Sequence, residues 1–184
     1  GVSIGSELVR QICDLAPSKI AIADHSEFAL YNADLEIAEI APKLTRRSEI
    51  ADVRDTDRVD RIIADFRPDL VFHAAAMKHV PIVEQNVAEG ISTNVFGTIN
   101  VADSCRRHGV GVMVLISTDK AVNPTSVMGA SKRIAESYCQ ARDLEHGETT
   151  DGASTRFVTV RFGNVLGSTG SVVPLFQRQL EQGG

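Results

Sequence analysis

The sequence predicts an α/β fold, a doubly wound parallel sheet with helices on both faces, and three observations support this prediction. Five short apolar segments rich in Ile and Val alternate with longer amphipathic segments, which is the pattern of βαβ units. Each apolar segment ends beside small or polar residues, as strands do where a parallel sheet opens into a ligand crevice. The chain has 184 residues, 43% of them hydrophobic and 23% charged. This length and composition suit one domain, over 1–184, with a sizeable core.

The individual elements follow from the same periodicities. The apolar segments predict strands at Lys19–Asp24, 49–53, 69–74, 110–117 and Arg156–Phe162. The amphipathic segments predict helices at 3–15, 26–40, Thr56–Phe66, 88–107 and Val127–His146, with a further helix beginning near Ser171 or Pro174. Ser26 is the predicted N-cap of the second helix, Gly109 and Gly147 are predicted helix stops, and 145–155 is a predicted exposed turn.

Composition narrows the classes of partner. The 19 Lys and Arg residues against 24 Asp and Glu give a net charge of −5, which argues against general nucleic-acid binding. No segment approaches the ~20 apolar residues that span a bilayer, so no membrane contact is expected within this chain. Three cysteines without paired spacing predict neither a disulfide framework nor a metal site, and they favour a cytoplasmic setting. The start at glycine, with no targeting segment, predicts a fragment of a longer protein.

The first glycines indicate a dinucleotide site. Gly1 and Gly5 have the spacing of the last two glycines of a G-x-G-x-x-G turn, of which the first glycine and its strand are missing. In the complete motif the glycines allow a pyrophosphate to approach the backbone. The N–H groups of the helix start, here near Ser3 and Ile4, then face that anion. An ordinary turn is the alternative for this half-motif.

An acidic residue follows at the expected distance. Asp24 stands 19 residues after Gly5 at the end of the next apolar segment, where a carboxylate accepts the ribose hydroxyls of a dinucleotide. Its charge would repel a 2′-phosphate, so the sequence favours NAD over NADP. The neighbouring His25 and Ser26 share this site, and Asp52 and Val53 are predicted beside the adenine ring. A charge at a helix N-terminus is the alternative for Asp24.

Two residues suited to acid–base chemistry follow the fourth predicted strand. Asp119 and Lys120 are adjacent at its carboxyl end, where each side chain shifts the pKa of the other. Lys132, on the next helix, is expected to face the same crevice. An exposed ion pair is the alternative.

These residues belong to motifs that carry a family resemblance. The motifs are SIGSEL, FHAAAMKHVP, TNVFGT, STDKAVNP, VMGASKR and RFGNVLGSTGSVVPLF. They resemble the CapD-type polysaccharide-biosynthesis branch of the extended short-chain dehydrogenases, which includes UDP-N-acetylglucosamine 4,6-dehydratases. The resemblance covers nearly all of the chain. It implies an NAD(P)-binding Rossmann domain, a missing C-terminal substrate domain, a UDP-sugar substrate and a homo-oligomer. It also implies a cytoplasmic location, with an anchor on the cytoplasmic face of the inner membrane in some members.

The resemblance implies a hydro-lyase reaction. NAD(P)⁺ takes hydride from C4 of the hexose, water leaves across C5–C6, and the hydride returns to C6. Lys120 matches the base that removes the C5 proton, Asp119 matches the acid that protonates the departing hydroxyl, and Lys132 matches the lysine that holds the nicotinamide ribose. Met128 stands in place of the catalytic tyrosine, as in some large members. The proton of the C4 hydroxyl must then be accepted by Asp119, by Lys132 acting through a ribose hydroxyl, or by water.

Further contacts are implied by position in the motifs. Arg161 is expected either to pair with the diphosphate or to form a structural ion pair, and 168–174 resembles a segment that closes over UDP. Thr118 joins the implied catalytic set. The implied cofactor contacts are Ala74, Ala75, Ala76 and Asn94, and the implied substrate contacts are Lys78, His79, Ser117, Thr118 and Asn164.

Two rival functions remain at this point. A UDP-N-acetylglucosamine 4-epimerase shares the C4 oxidation, but it needs no base at C5, so Lys120 beside Asp119 favours dehydration. A non-catalytic NAD(P)-binding sensor would explain the loss of the tyrosine. The retained Asp119, Lys120 and Lys132 argue against it.

Overall fold

The computed structural model describes residues 2–146 and 155–163. Gly147, Asn164, the segment 168–174 and the helix predicted near Ser171 lie outside the described residues. The helices are α1 Val2–Asp14, α2 Glu27–Ile40, α3 Thr56–Phe66, α4 Val80–Gln85, α5 Val87–Ile91, α6 Gly97–Arg107 and α7 Val127–His146. The strands are β1 Lys19–Asp24, β2 Thr45–Ile50, β3 Leu70–His73, β4 Val112–Thr118 and β5 Arg156–Phe162. A π-helical turn, Ser92–Phe96, joins α5 to α6, and a 3₁₀ turn, Asp119–Ala121, follows β4.

All strand pairs are parallel, as the alternation of elements predicts. One sheet pairs β1 with β2, and the other has the order β3-β4-β5. Within residues 2–146 and 155–163 no backbone pairing joins the two sheets. Their strand orders match the two parts of a doubly wound sheet that lie on either side of its first strand. The predicted fold class is therefore confirmed.

Apolar residues fill the space between helices and strands. The larger core lies among α3, α6, α7, β4 and β5 and includes Met113, Leu115 and Phe157, while a smaller one joins α1, α2 and β1. Cys105 and Cys139 pack in the larger core as free thiols, and burial raises their pKa to about 12 and about 11. Among the described helices, none is both long and apolar enough to cross a bilayer.

The predicted helix ends at Ser26 and Gly109 are confirmed. The Ser26 hydroxyl accepts a hydrogen bond from Ala29 N at 3.3 Å, which satisfies a free N–H of the first turn of α2. Gly109 has a φ of +67°, a conformation that glycine adopts without strain, directly after the end of α6.

The predicted position of the second strand is wrong. The apolar residues of 49–53 favoured a strand there, but β2 runs over Thr45–Ile50 and is largely polar. Ion pairs explain why polar residues occupy this strand: Arg46 bonds Asp34 of α2, and Glu49 bonds Arg58 of α3. Asp52 and Val53 consequently lie in the loop after the strand.

The single helix predicted over 88–107 is also wrong in detail. It is divided into α5, the π-helical turn and α6, and the preceding α4 was not predicted. Periodicity cannot show a six-residue helix such as α4, which begins at Val80 and has a proline in its first turn. The wider π turn places Asn94 entirely inside the protein.

Candidate active site

The Asp119–Lys120 pair stands where β4 ends. The Thr118 hydroxyl donates to Asp119 Oδ1 at 2.9 Å, and Lys120 Nζ donates to the same oxygen at 3.2 Å. The two side chains are 54% and 44% exposed, so both reach solvent. Hydrogen bonds from Thr118 and then Lys120 hold the pKa of Asp119 below its ordinary value. The acid role that the resemblance implies for Asp119 requires a protonated carboxyl group, and in this structure the hydrogen bonds from Thr118 and Lys120 oppose protonation more strongly than burial favours it.

Close packing fixes the turn that carries the pair. A Cβ added to Gly129, in the first turn of α7, would lie 2.5 Å from the Lys120 carbonyl oxygen and 3.3 Å from Pro124 Cβ. On the other side, a Cβ at Gly163 would lie 4.0 Å from Asp119 Oδ2. Gly163, which directly follows β5 in the RFGNVLG motif, thus borders the Asp119 carboxylate. The packing of α7 on the backbone of Lys120 sets the position of the pair.

Gly129→Ala is expected to damage the site. Its methyl group overlaps backbone, which cannot move aside as a flexible side chain can, so α7 and the 119–121 turn must separate. We expect a loss of about 1–3 kcal/mol in the free energy of unfolding and roughly a hundredfold loss of turnover, because catalytic groups are sensitive to shifts of about 1 Å. Urea unfolding and steady-state kinetics measure the two effects.

Gly5→Ala is the control for stability. A Cβ there meets no atom within 4 Å, and alanine favours a helix over glycine. Equal stability of Gly129→Ala and wild type would contradict the close contact.

Two further side chains fix the beginning of α7. Ser126 accepts a hydrogen bond from Gly129 N at 3.1 Å through its hydroxyl, and Glu84 of α4 accepts one from Val127 N at 2.7 Å. Both satisfy N–H groups of the first helical turn that have no partner within the helix. The sequence analysis missed Glu84, because nothing in the sequence indicates that α4 meets α7.

Lys132 and Met128 lie one turn apart on the buried face of α7. Lys132 is 4% exposed and donates from Nζ to the Ile116 carbonyl oxygen of β4 at 2.8 Å. Burial lowers the pKa of Lys132 to about 8, although the nearby charge of Glu136 opposes this change. Met128 is 3% exposed. Its thioether has no proton to exchange, so it cannot replace the catalytic tyrosine.

Asn94 braces the segment after β3 against α7. Its Oδ1 accepts from Met77 N at 2.8 Å, while its Nδ2 donates to Met77 O at 3.0 Å and to Ser131 Oγ at 3.0 Å. Ser131 in turn donates to the Met128 carbonyl. Asn94 is fully buried, so the structure uses its amide to position the chain on either side of the cleft.

His73 is an uncharged core residue at the end of β3. Its Nε2 lies 3.0 Å from Thr98 Oγ1, and Thr98 donates its own proton to the Asn94 carbonyl. This assigns the ring proton of His73 to Nε2, because Thr98 can only accept. Burial, with a contribution from Lys132, lowers the pKa of His73 to about 3. His73 is therefore uncharged at neutral pH, and it has no imidazolium proton to give up as an acid.

The residues after His73 open toward solvent. Ala74 and Ala76 are half-buried and Ala75 is exposed, which leaves a small-residue surface beside the strand ends. Lys78 and His79 are both exposed, and His79 directly precedes α4. Lys78 and His79 follow the carboxyl end of β3, and Thr118 is the last residue of β4. All three therefore lie at the edge of the sheet where the carboxyl ends of the parallel strands meet.

Asp24, the predicted ribose contact, lies at the end of β1. Asp24 Oδ1 accepts from Ser26 N at 2.9 Å and lies 3.3 Å from His25 Nδ1. The carboxylate is 37% exposed, so it can still accept hydrogen bonds from a ligand. Gly5 lies in the first turns of α1 with open space where a side chain would be. Gly1 lies outside the described residues, and the side chain of Ser3 is not described; Ile4 is half-buried.

The loop after β2 is held by a residue that the sequence analysis missed. Arg54 donates from Nε to both oxygens of Asp52, at 3.0 and 2.9 Å, and from Nη1 to Glu89 Oε2 at 2.6 Å. The hydrogen bond from Arg54 is the main cause that lowers the pKa of Asp52. Val53 packs on Gly97, whose added Cβ would lie 2.6 Å from Val53 Cγ2. The loop is therefore rigid where an adenine ring is expected.

Arg161 forms the structural ion pair, one of its two predicted alternatives. It donates from Nε to Glu136 Oε1 at 2.9 Å and from Nη2 to Glu136 Oε2 at 2.6 Å. Glu136 stands four residues after Lys132 on α7, a spacing that could have indicated it. Ser117, the register partner of Arg161, is buried beside this pair. A substrate contact of Ser117 would require the hydroxyl to be uncovered.

Comparison with known proteins places this architecture among enzymes of sugar nucleotides. The chain is 46% identical to the capsular polysaccharide biosynthesis protein CapD of Staphylococcus aureus over all of its length, which is 30% of CapD. It is 41% identical to an inverting UDP-N-acetylglucosamine 4,6-dehydratase of Campylobacter jejuni over 91% of this chain and 47% of the enzyme. A UDP-glucose 4-epimerase of Rickettsia akari is also 41% identical, over 82% of this chain and 42% of that protein.

Solved structures share the same fold. Pen from Bacillus thuringiensis superposes with a TM-score of 0.86 at 34% identity, over 98% of this chain and 52% of Pen. A double mutant of the dTDP-glucose 4,6-dehydratase DesIV from Streptomyces venezuelae, with NAD bound, superposes with a TM-score of 0.75 at 25% identity, over 98% of this chain and 60% of DesIV. The chain thus spans between about a third and somewhat over half of the proteins it matches.

The family assignment rests on more than these individual relatives. The model of the family described as "Polysaccharide biosynthesis protein" matches residues 1–184, which include both the Asp119–Lys120 turn and the helix with Lys132. The chain belongs to this polysaccharide biosynthesis protein family.

Proposed function

We propose that this chain is the cofactor-binding part of a nucleotide-sugar 4,6-dehydratase, a hydro-lyase that acts on UDP-N-acetylglucosamine in the synthesis of surface polysaccharides. The Asp119–Lys120 pair carries the proposal, because it presents an acid–base couple at the strand ends, beside Gly163 at the end of β5. The dehydratase relative supports the substrate. The free thiols suit the reducing cytoplasm, where we place the reaction.

The residues present fit a nicotinamide dinucleotide. The Asp24 carboxylate remains partly exposed at the end of β1, and the open space at Gly5 allows close approach to the start of α1. The dinucleotide would be held by the first turn of α1, by Asp24, by the 52–53 loop, by Ala74, Ala75 and Ala76, and by Lys132. When bound, the cofactor accepts hydride from sugar C4 and returns it to C6. The NAD-bound DesIV structure supports this type of cofactor.

Asp119 can accept the proton of the C4 hydroxyl, which Met128 cannot do in place of the tyrosine. Its lowered pKa keeps the carboxylate ionised, so it can accept the proton of the C4 hydroxyl as the ketone forms. The same carboxyl group then donates that proton to the C6 hydroxyl, which leaves as water. One group thus serves as base and then as acid, and it ends ionised as it began.

Lys120 completes the cycle at C5. In this cycle Lys120 gives its ammonium proton to the solvent, which its side chain reaches. The neutral amine removes the C5 proton, which the C4 ketone has made acidic. Lys120 later returns a proton to C5 and regains one from solvent. Every proton is balanced, and the product is a UDP-4-keto-6-deoxy-sugar.

Product analysis tests the reaction. The full-length protein is incubated with UDP-N-acetylglucosamine and NAD⁺, and mass spectrometry follows the sugar nucleotide. Loss of one water supports the dehydratase. A product of unchanged mass that separates from the substrate by chromatography would support the second candidate, a 4-epimerase, which the epimerase relative suggests. Absence of both products in protein that binds NAD⁺ would contradict both enzymes.

We propose NAD as the preferred cofactor, and Asp24→Asn tests this preference. Removing the charge should ease the repulsion of a 2′-phosphate, so the ratio of the NADP Kd to the NAD Kd is expected to fall about tenfold. Isothermal titration calorimetry measures both values. Asp34→Asn is the matched control, because Asp34 is equally exposed but lies on α2, paired with Arg46. An unchanged ratio in Asp24→Asn would contradict the proposed ribose contact.

We propose a homodimer formed through α6 and α7. Two large apolar side chains are exposed there, Phe96 at 57%, at the end of the π-helical turn that leads into α6, and Ile134 at 53% on α7. Both the π-helical turn and α6 pack against α7. Ile134→Lys is expected to halve the mass measured by light scattering, because a buried lysine without a partner destabilises an interface. Phe28→Lys on α2, where Phe28 is also exposed, should leave the mass unchanged. An unaltered mass in Ile134→Lys would place the interface elsewhere.

A further inference from the structure

The buried face of α7 carries opposite charges one turn apart. Lys132 and Glu136 are 4% and 5% exposed, and both face the sheet. Charged side chains are seldom buried to this extent unless other groups compensate them. The Lys132 ammonium has one hydrogen-bond partner recorded, the uncharged Ile116 carbonyl. The charged form of Lys132 must therefore be stabilised by groups that lie farther away than a direct ion-pair partner would.

Glu136 is held by a rigid clamp. Arg161, on β5, engages both carboxylate oxygens in a bidentate arrangement, and Arg133 lies 3.6 Å away at the outer edge. The guanidinium of Arg161 is 38% exposed, so water still reaches the far side of the clamp. Bidentate Arg–carboxylate pairs fix orientation as well as charge. The clamp thus fixes an ionised carboxylate at a position one helical turn from Lys132 on α7.

We propose that Glu136, clamped by Arg161, is a positioning residue that keeps the buried Lys132 ammonium charged beside the end of β4. Within residues 2–146 and 155–163, few titratable or charged groups besides Glu136 act on Lys132. His73 faces it from β3 and is uncharged, Cys139 is on its own helix, and Arg161 acts on it from β5 through Glu136. Among these neighbours Glu136 alone is anionic at neutral pH. The inference deepens the proposed function, in which Lys132 holds the cofactor.

The direction of the pKa changes agrees with this geometry. Burial raises the pKa of Glu136, but the hydrogen bonds and the charge of Arg161 outweigh it, so the carboxylate is ionised. Burial lowers the pKa of Lys132 to about 8, and the charge of Glu136 is the main opposing cause. Without that charge Lys132 would lose its proton within the neutral range, and the cleft would lose a buried cation.

Lysine NMR tests the inference directly. The full-length protein is labelled with ¹³C at lysine Cε, the Lys132 signal is assigned with Lys132→Arg, and its pH midpoint is recorded. Glu136→Gln should lower the midpoint by about one pH unit, as expected for loss of a unit charge nearby in a partly polar interior. Arg161→Gln should raise it, because the carboxylate is no longer neutralised by the clamp. Glu145→Gln, also on α7 and ion-paired with Arg106, should leave it unchanged.

Opposite shifts of the Lys132 midpoint in Glu136→Gln and Arg161→Gln distinguish the positioning role of Glu136 from a purely structural one. A clamp that merely stabilised the fold would move the midpoint in the same direction in both variants, and this result would overturn the inference, as would an unchanged midpoint in Glu136→Gln. If a single variant fails to fold, Glu136→Gln combined with Arg161→Gln removes both members of the clamp and leaves neither without its partner, and the Lys132 midpoint should still lie below that of the wild type. The titration needs no turnover, so it stands even if the protein proves not to be a dehydratase.

Discussion

Lys120→Met is expected to lower dehydration by about a thousandfold or more, the usual contribution of a general base, while NAD⁺ binds as in the wild type. The substitution keeps most of the side-chain volume but removes the amine that takes the C5 proton. Oxidation at C4 can still begin, since it depends on Asp119 and the cofactor. The C5 proton would then remain in place, and water would not leave. Mass spectrometry of the sugar nucleotide and calorimetry with NAD⁺ measure the two effects.

The same variant separates the three candidate functions. An epimerase should keep most of its activity in Lys120→Met, because hydride returns to C4 without any change at C5. A sensor would show normal cofactor binding and no product even in the wild type. Lys43→Met, an exposed lysine before β2, is the control and should behave as the wild type. Full dehydratase activity in Lys120→Met would contradict the assigned role of the pair.

Asp119→Asn extends this test to the first step. The amide cannot accept a proton, so the C4 oxidation itself should fail, and transient reduction of the bound cofactor should disappear. Lys120→Met should retain that transient absorbance near 340 nm, the usual signature of a reduced nicotinamide. If the bound cofactor is still transiently reduced in Asp119→Asn, the acceptor of the C4 hydroxyl proton must be Lys132 or water instead.

Lys132→Met is expected to make the stability of the protein less dependent on pH while it weakens cofactor binding. The pKa of Lys132 is about 8 in the folded protein and 10.5 without the protein environment. Between these values the unfolded chain binds the proton more strongly, so the wild type gains stability as the pH rises through this range. The total gain relative to the variant is about 3 kcal/mol. Below about pH 8 the wild type bears the full penalty of the buried charge.

Urea unfolding of both proteins at neutral and alkaline pH measures this difference. Other groups titrate in both proteins, so their effects cancel when the two free energies of unfolding are subtracted. The variant also loses the hydrogen bond to Ile116, which lowers its stability equally at each pH. A difference that does not change with pH would show that Lys132 has an ordinary pKa.

The regular part of the fold could be predicted from local sequence. Strands β1 and β5 and helices α3 and α7 have the bounds that their periodicity indicates, and Ser26 caps α2 as its residue type predicts. β2 could not be predicted in this way, because its polar residues are explained by ion pairs with α2 and α3 that local sequence does not show. The π turn likewise depends on the distant contact between Asn94 and Met77.

The site could be predicted as a set of positions but not as an electrostatic arrangement. Because Asp119 and Lys120 directly follow a predicted strand, the pair was expected at the edge of the sheet, and the structure has it there. The sign of the Asp119 pKa change depended on the orientation of Thr118 and Lys120, which the sequence does not contain. Glu136, Arg54 and Glu84 were missed because their partners lie 25, 35 and 43 residues away.

Proton NMR of the reaction in deuterated water tests the central claim most directly. The full-length protein is supplied with UDP-N-acetylglucosamine and NAD⁺, and the sugar resonances are followed with time. The account predicts a new methyl signal from C6 together with deuterium at C5, because Lys120 exchanges its proton with solvent before it returns one to C5. A 4-epimerised sugar that keeps hydrogen at C5 and its C6 hydroxymethyl group would contradict it.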